Sequence, residues 1–110
     1  MSEEDFFTYW LKNHGPLVKS VAKVMKAQRY VQSHRIESPL NDVARGERGA
    51  SARYDGLTDF WWTSHQELLA AMATPEGTEA HGTLIKDEAT FCDLSRSCIF
   101  LAEEHTIFES

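Results

Sequence analysis

Tyr54-Asp55-Gly56-Leu57-Thr58-Asp59-Phe60-Trp61-Trp62-Thr63 is the stretch on which the fold turns. Its aromatic residues suit a pleated, half-buried surface, so Tyr54 to Thr63 is expected as a strand. Asp59 stands in the middle of that run, and a carboxylate among aromatic rings needs a reason. Two readings stand. In the structural one, Asp59 accepts hydrogen bonds from neighbouring groups or sits at a wet strand edge. In the functional one, the apolar surroundings disfavour its ionised form, and it serves as an acid, a base or the orienter of a histidine.

Working outward, Lys26 to His34 alternates weakly around Tyr30 and is expected as an edge-type strand. Between the two strands, Ile36 to Arg53 turns to Ser, Pro, Asn, Asp, Arg, Glu and Gly without apolar periodicity. A long loop is expected there, as a lid or as plain disorder. At the N-terminus, Ser2 followed by Glu3, Glu4 and Asp5 resembles a capping box, and Phe7, Trp10, Leu11 and His14 share one helical face. Gly15-Pro16 should interrupt this helix and leave His14 at its end, with Leu17, Val18, Val21 and Val24 in a second piece. Downstream, Ser64-His65-Gln66-Glu67 is another capping box, opening a helix through Leu68, Leu69 and Met72. Thr74-Pro75 opens the next, with His81, Leu84, Ile85, Glu88 and Phe91 on one face. Arg96 to Phe108, centred on Ile99, Phe100 and Leu101, is expected as a closing strand.

A length of 110 residues accommodates a single domain, residues 1–110, and 42% hydrophobic with 25% charged residues is ordinary for a soluble globular chain. The net charge of -6 and the scattered Lys and Arg argue against nucleic acid and against anionic membrane surfaces as partners. The acidic N-terminal residues and the absence of a long apolar run give no sign of a signal peptide or a transmembrane helix. The expected location is the cytoplasm, where Cys92 and Cys98 would stay reduced as small core residues.

Among the chemistry-bearing side chains, His14 comes first, because imidazole is readily poised for proton transfer near neutral pH and a helix end could aim it across the sheet. Its structural alternative is to cap or pack the helix break. Tyr30 could donate its phenolic proton to a carbonyl or hold an enolate, or be a core tyrosine with a satisfied hydroxyl. Trp10, Trp61, Trp62 and Phe91 could wall a flat apolar pocket for a small hydrophobic or aromatic ligand, or be ordinary core. His34, His65, His81 and His105 show no metal-ligand spacing, and no glycine cluster forms a phosphate loop, so neither a metal nor another cofactor is expected.

Four blocks in order carry a family resemblance: Phe7-Thr8-Tyr9-Trp10-Leu11-Lys12-Asn13-His14-Gly15-Pro16-Leu17-Val18, Arg29-Tyr30-Val31-Gln32-Ser33-His34, Tyr54-Asp55-Gly56-Leu57-Thr58-Asp59-Phe60-Trp61 and Asp87-Glu88-Ala89-Thr90-Phe91-Cys92-Asp93. Together they resemble the EthD family of the dimeric α/β-barrel proteins. That resemblance implies an α+β, ferredoxin-like fold that pairs as a homodimer. Asp59 stands where the family more often has Glu. The family order also begins with a strand, whereas this sequence reaches a helix cap at Ser2, so the first β-strand is expected to be lacking. Relatives on this fold act on cyclic or aromatic small molecules. The resemblance therefore implies cofactor-independent proton transfer of isomerase, cyclase or lyase type, on a catabolic or polyketide-type substrate. His14 would be base or acid, Tyr30 would hold the oxyanion, and Asp59 would orient the imidazole or shuttle a proton. The alternative is a non-catalytic accessory or binding protein of a monooxygenase-linked ether degradation pathway.

Overall fold

The computed structural model describes residues 1–110 as a mixed helix and sheet fold. Helix α1 (Glu3–Tyr9) starts where Ser2 accepts a hydrogen bond from the Asp5 amide, with Glu3, Glu4 and Asp5 against the positive end of the helix. It does not stop at Gly15-Pro16. Residues Trp10–His14 widen into one π-helical turn, in which the Gly15 amide reaches back to the Trp10 carbonyl, and α2 (Gly15–Val21) continues with Pro16 in its first turn. Proline lacks an N–H and its ring crowds the carbonyl four residues back, so the wider turn accommodates Pro16 where an unmodified α-helix would break. This corrects the expected interruption: His14 lies inside a continuous helical run, not at its end.

Strands β1 (Arg29–His34) and β2 (Gly56–Trp61) form a two-stranded antiparallel sheet, with Tyr30 opposite Phe60, Val31 opposite Asp59 and Arg29 opposite Trp61. Side chains alternate between faces. Tyr30 and Phe60, on one face, pack with Trp62 against the core of Val18, Met25, Ala80 and Leu84. Arg29 and Trp61 lie on the other face, the guanidinium over the indole at 4.6 Å. Gly56 lets the sheet approach the helix, because a Cβ there would fall 2.5 Å from the Trp10 ring and from the Ser33 carbonyl.

The segment expected as a loop contains helix α3 (Pro39–Glu47), capped by Ser38 and opened by Pro39. The signal was a proline directly behind a serine cap. Helices α4 (His65–Met72) and α5 (Pro75–Phe91) begin at the expected caps, Ser64 and Thr74. The closing strand does not form. A single 3-10 turn at Leu94–Arg96 is followed by residues 97–110 without regular structure. Ile99, Phe100 and Leu101 stay exposed, since their alternation can bury a face only beside a partner strand and the sheet holds only β1 and β2. No helix is long and apolar enough to cross a membrane.

Candidate active site

The π turn directs His14 inward, to 4% exposure, against the C-terminal half of α5. There the imidazole meets two consecutive carboxylates. Its Nδ1–H donates to Asp87 Oδ2 at 2.7 Å, and its Nε2 lies 3.9 Å from Glu88 Oε2. The other Asp87 oxygen accepts from the Tyr9 hydroxyl at 2.5 Å. Burial pushes the Asp87 carboxyl up, but the Tyr9 hydroxyl and the His14 N–H outweigh it and hold the carboxyl below the ordinary range. The same bond, made to a carboxylate, raises Tyr9 above the usual tyrosine value. An ionised Asp87 only accepts hydrogen bonds, which puts the imidazole proton on Nδ1 and the free lone pair on Nε2. Phe91 closes the side of the ring, its centroid 5.1 Å from that of His14 and 5.1 Å from that of Tyr9.

A second set of bonds ties β1 to the π turn. The Gln32 amide donates to the Trp10 carbonyl at 2.8 Å and to the Tyr30 hydroxyl oxygen at 2.7 Å, while its oxygen accepts from His34 Nε2 at 2.8 Å. Both amide hydrogens are thus used, and His34 carries its proton on Nε2. The His34 ring stacks on Trp10 at 4.2 Å, nearly parallel, and burial holds its pKa below the usual value. Burial raises Tyr30, against the lowering effect of the Gln32, Trp10 and Thr58 donors around its oxygen.

The family model described as the EthD domain matches residues 1–95. The chain belongs to the EthD family. No curated protein and no solved structure matches it.

Within this EthD domain, the expected site residues are only partly brought together. His14 and Tyr30 both face the helix-covered side of the sheet, and Trp10 and Phe91 stand beside them. Trp62 packs on the core and donates its indole N–H to the Met25 carbonyl. Trp61 and Asp59 are on the opposite face, Trp61 bonded to Glu104 and Asp59 across from Val31. The period-two alternation that turns Phe60 inward turns Asp59 outward. The carboxylates at His14 are Asp87 and Glu88 instead, and with Tyr9 and Gln32 they were absent from the sequence-derived site. The signal for Glu88 was its place on the same α5 face as Leu84 and Phe91, where an acid needs the same explanation that Asp59 did.

An open cleft of about 540 Å3 lies next to this cluster, lined by Met1, Phe6, Arg35, Arg53, Tyr54 and Phe91 among others. Phe91 lines the cleft on one side and touches His14 on the other.

Proposed function

We propose that this EthD domain catalyses cofactor-independent proton transfer on a cyclic or aromatic carbonyl compound, with isomerisation, cyclisation or elimination as the outcome. One observation carries the reading: Asp87, held ionised by Tyr9, fixes His14 with a free Nε2 in a water-poor, aromatic-walled setting. An orienting carboxylate on one imidazole nitrogen and a free lone pair on the other make a general base. Tyr30 would hold the developing oxyanion, and Trp10 and Phe91 would flank a flat ring. Substrate in the cleft would reach His14 once the Phe91 ring, which stands between the two, swings aside. Asp59 and Trp61, on the far face, would contribute only through a second subunit.

In this reading the chain works as a cytoplasmic homodimer, each subunit supplying half of a ferredoxin-like α/β barrel. Support comes from the outer sheet face, which Leu57 shares with Trp61 and where Leu57 is exposed, and from the exposed Ile99, Phe100, Ile107 and Phe108. The first strand of the family order would pair on the free edge of β2, which has no neighbour but β1. The second reading, a non-catalytic accessory or binding protein of a monooxygenase-linked ether degradation pathway, is favoured by the near-complete burial of His14.

Deuterium exchange separates the two. The α-hydrogens of β-tetralone, a cyclic aromatic ketone, are followed by NMR in D2O. Acceleration by the wild type, lost about a hundredfold or more in a folded His14→Gln variant, supports the enzyme. Equal rates with and without protein sink the enzymatic reading and leave the accessory one.

A further inference from the structure

Asp87 and Glu88 are sequence neighbours on α5, yet they reach different nitrogens of one imidazole. The Asp87 bond is short and direct. The Glu88 carboxyl stands off Nε2 by 3.9 Å, too far for a hydrogen bond and close enough for a proton to pass once either group shifts by less than an ångström. Glu88 is also half-buried, and it faces a mixed set of groups: His14 from the π turn, His81 and Asp87 on its own helix, Cys92 just beyond it, and the Tyr30 hydroxyl from β1. Its carboxyl makes no hydrogen bond or ion pair apart from its approach to His14, whereas Asp87 has both oxygens engaged.

We propose that Glu88 is the general acid that works opposite His14, and the group that resets it. This rests on the proton-transfer reading above and adds the second proton donor which that reading leaves unassigned. His14 Nε2 takes a proton from the carbon next to the substrate carbonyl. The released C–H electron pair becomes the carbon–carbon double bond, the carbonyl π pair moves to oxygen, and that oxygen takes the proton of Glu88. The products are the enol, a His14 imidazolium and a Glu88 carboxylate. Transfer of one proton across the Nε2 to Oε2 gap then restores both groups without solvent. The two acids are divided for these tasks by their surroundings, since burial pushes Glu88 up, more than the nearby His14 and His81 pull it down, while Asp87 is held low. The same burial, with Glu88 and Asp87 beside it, pushes the Cys92 thiol up to about 11 and keeps it out of the proton traffic at neutral pH.

The test needs no natural substrate. With carboxyl-13C and imidazole-15N labels in the full chain, Glu88 is expected to keep its proton above the ordinary glutamate range. The step should move in His14→Gln, and the His14 nitrogen signals should respond to Glu88→Gln. An ordinary Glu88 midpoint that ignores His14→Gln overturns the proposal. The β-tetralone exchange then separates it from the reading beneath it. Acceleration lost in His14→Gln and cut about a hundredfold in Glu88→Gln supports both. Acceleration lost in His14→Gln but untouched by Glu88→Gln overturns Glu88 alone. No acceleration by the wild type overturns the proton-transfer reading and, with it, Glu88 as a catalytic acid, while the titration still decides whether the two groups share a proton.

Discussion

The Nδ1 of His14 and the Oδ2 of Asp87, 73 residues apart in the chain, lie 2.7 Å from each other and pin the first helical run to the end of α5. That bond is both structural and chemical. It satisfies a buried imidazole, and it selects the nitrogen on which His14 can act. The separation also explains why the pair could not be found by motif spacing, since neither residue has a partner within one helical turn.

Asp87 and Glu88 should give opposite pH dependences of stability. Asp87 has its folded pKa lowered, so its contribution is present above the ordinary carboxyl range, about pH 4, and is lost as pH falls through the folded value. Urea unfolding is expected to find Asp87→Asn less stable by roughly 1–3 kcal/mol at pH 7, with the gap closing on acidification. Glu88 has its folded pKa raised, so its contribution is full below the ordinary glutamate range and declines as pH rises through the folded value. Glu88→Gln should therefore gain on the wild type as pH rises from about 4. A gap that moves the same way for both variants would contradict the division of roles.

The reading of secondary structure from sequence was most successful where the signals are local. The caps at Ser2, Ser64 and Thr74 each hold the hydrogen bond their position implies. Tyr54 to Thr63 and Lys26 to His34 contain the two observed strands, and the family was legible in four short blocks. What was not legible depended on tertiary partners. Pro16 signals a break only if the helix keeps α geometry, and the Gln32 amide beneath the Trp10 carbonyl supports the π turn that avoids one. Arg96 to Phe108 has strand composition, but a strand is made by its neighbour as much as by its residues. Asp59 stands out as an acid among aromatics, yet alternation places it outside the helix-covered layer; Glu88 lies on the α5 face shared by Leu84 and Phe91, but which imidazole that face meets is set by tertiary packing and not by spacing along the helix.

Gly56→Ala should destabilise the chain by roughly 1–3 kcal/mol, because the new methyl would meet Trp10 ring carbons and the Ser33 carbonyl at 2.5 Å and neither can move without disturbing the His34 stack. Thermal unfolding measures the cost. Gly46→Ala, where a Cβ meets nothing within 4 Å, is the control and should be neutral or slightly stabilising.

Light scattering at micromolar concentration should find a dimer. The exposed apolar residues Leu57, Ile99, Phe100, Leu101, Ile107 and Phe108 leave too much hydrocarbon in water for a monomer of this size to carry without association. Trp61→Glu on the outer sheet face should shift the protein toward monomer. A monodisperse wild-type monomer would count heavily against the barrel arrangement.

The last prediction concerns the support of the π turn. The Trp10 carbonyl accepts from the Gly15 amide within the turn and from Gln32 across to the sheet, so Gln32 holds the widened turn, the Tyr30 hydroxyl and the His34 tautomer with one amide group. Gln32→Leu keeps the bulk and removes the three bonds that the side-chain amide makes. It leaves buried acceptors underused, at a cost of roughly 1–3 kcal/mol, and it takes a donor from the Tyr30 oxygen, so Tyr30 should ionise at higher pH than in the wild type. Alkaline ultraviolet titration, with Tyr30→Phe used to assign the step, reads the second effect separately from the first. Gln32→Glu, which keeps an acceptor for His34 Nε2 but places a carboxylate against the Tyr30 oxygen and the Trp10 carbonyl, should be the worse of the two at neutral pH and recover on acidification. If Gln32→Leu unfolds no more easily than the wild type and leaves the Tyr30 titration where it was, the π turn is sustained by Pro16 alone and Gln32 is a bystander.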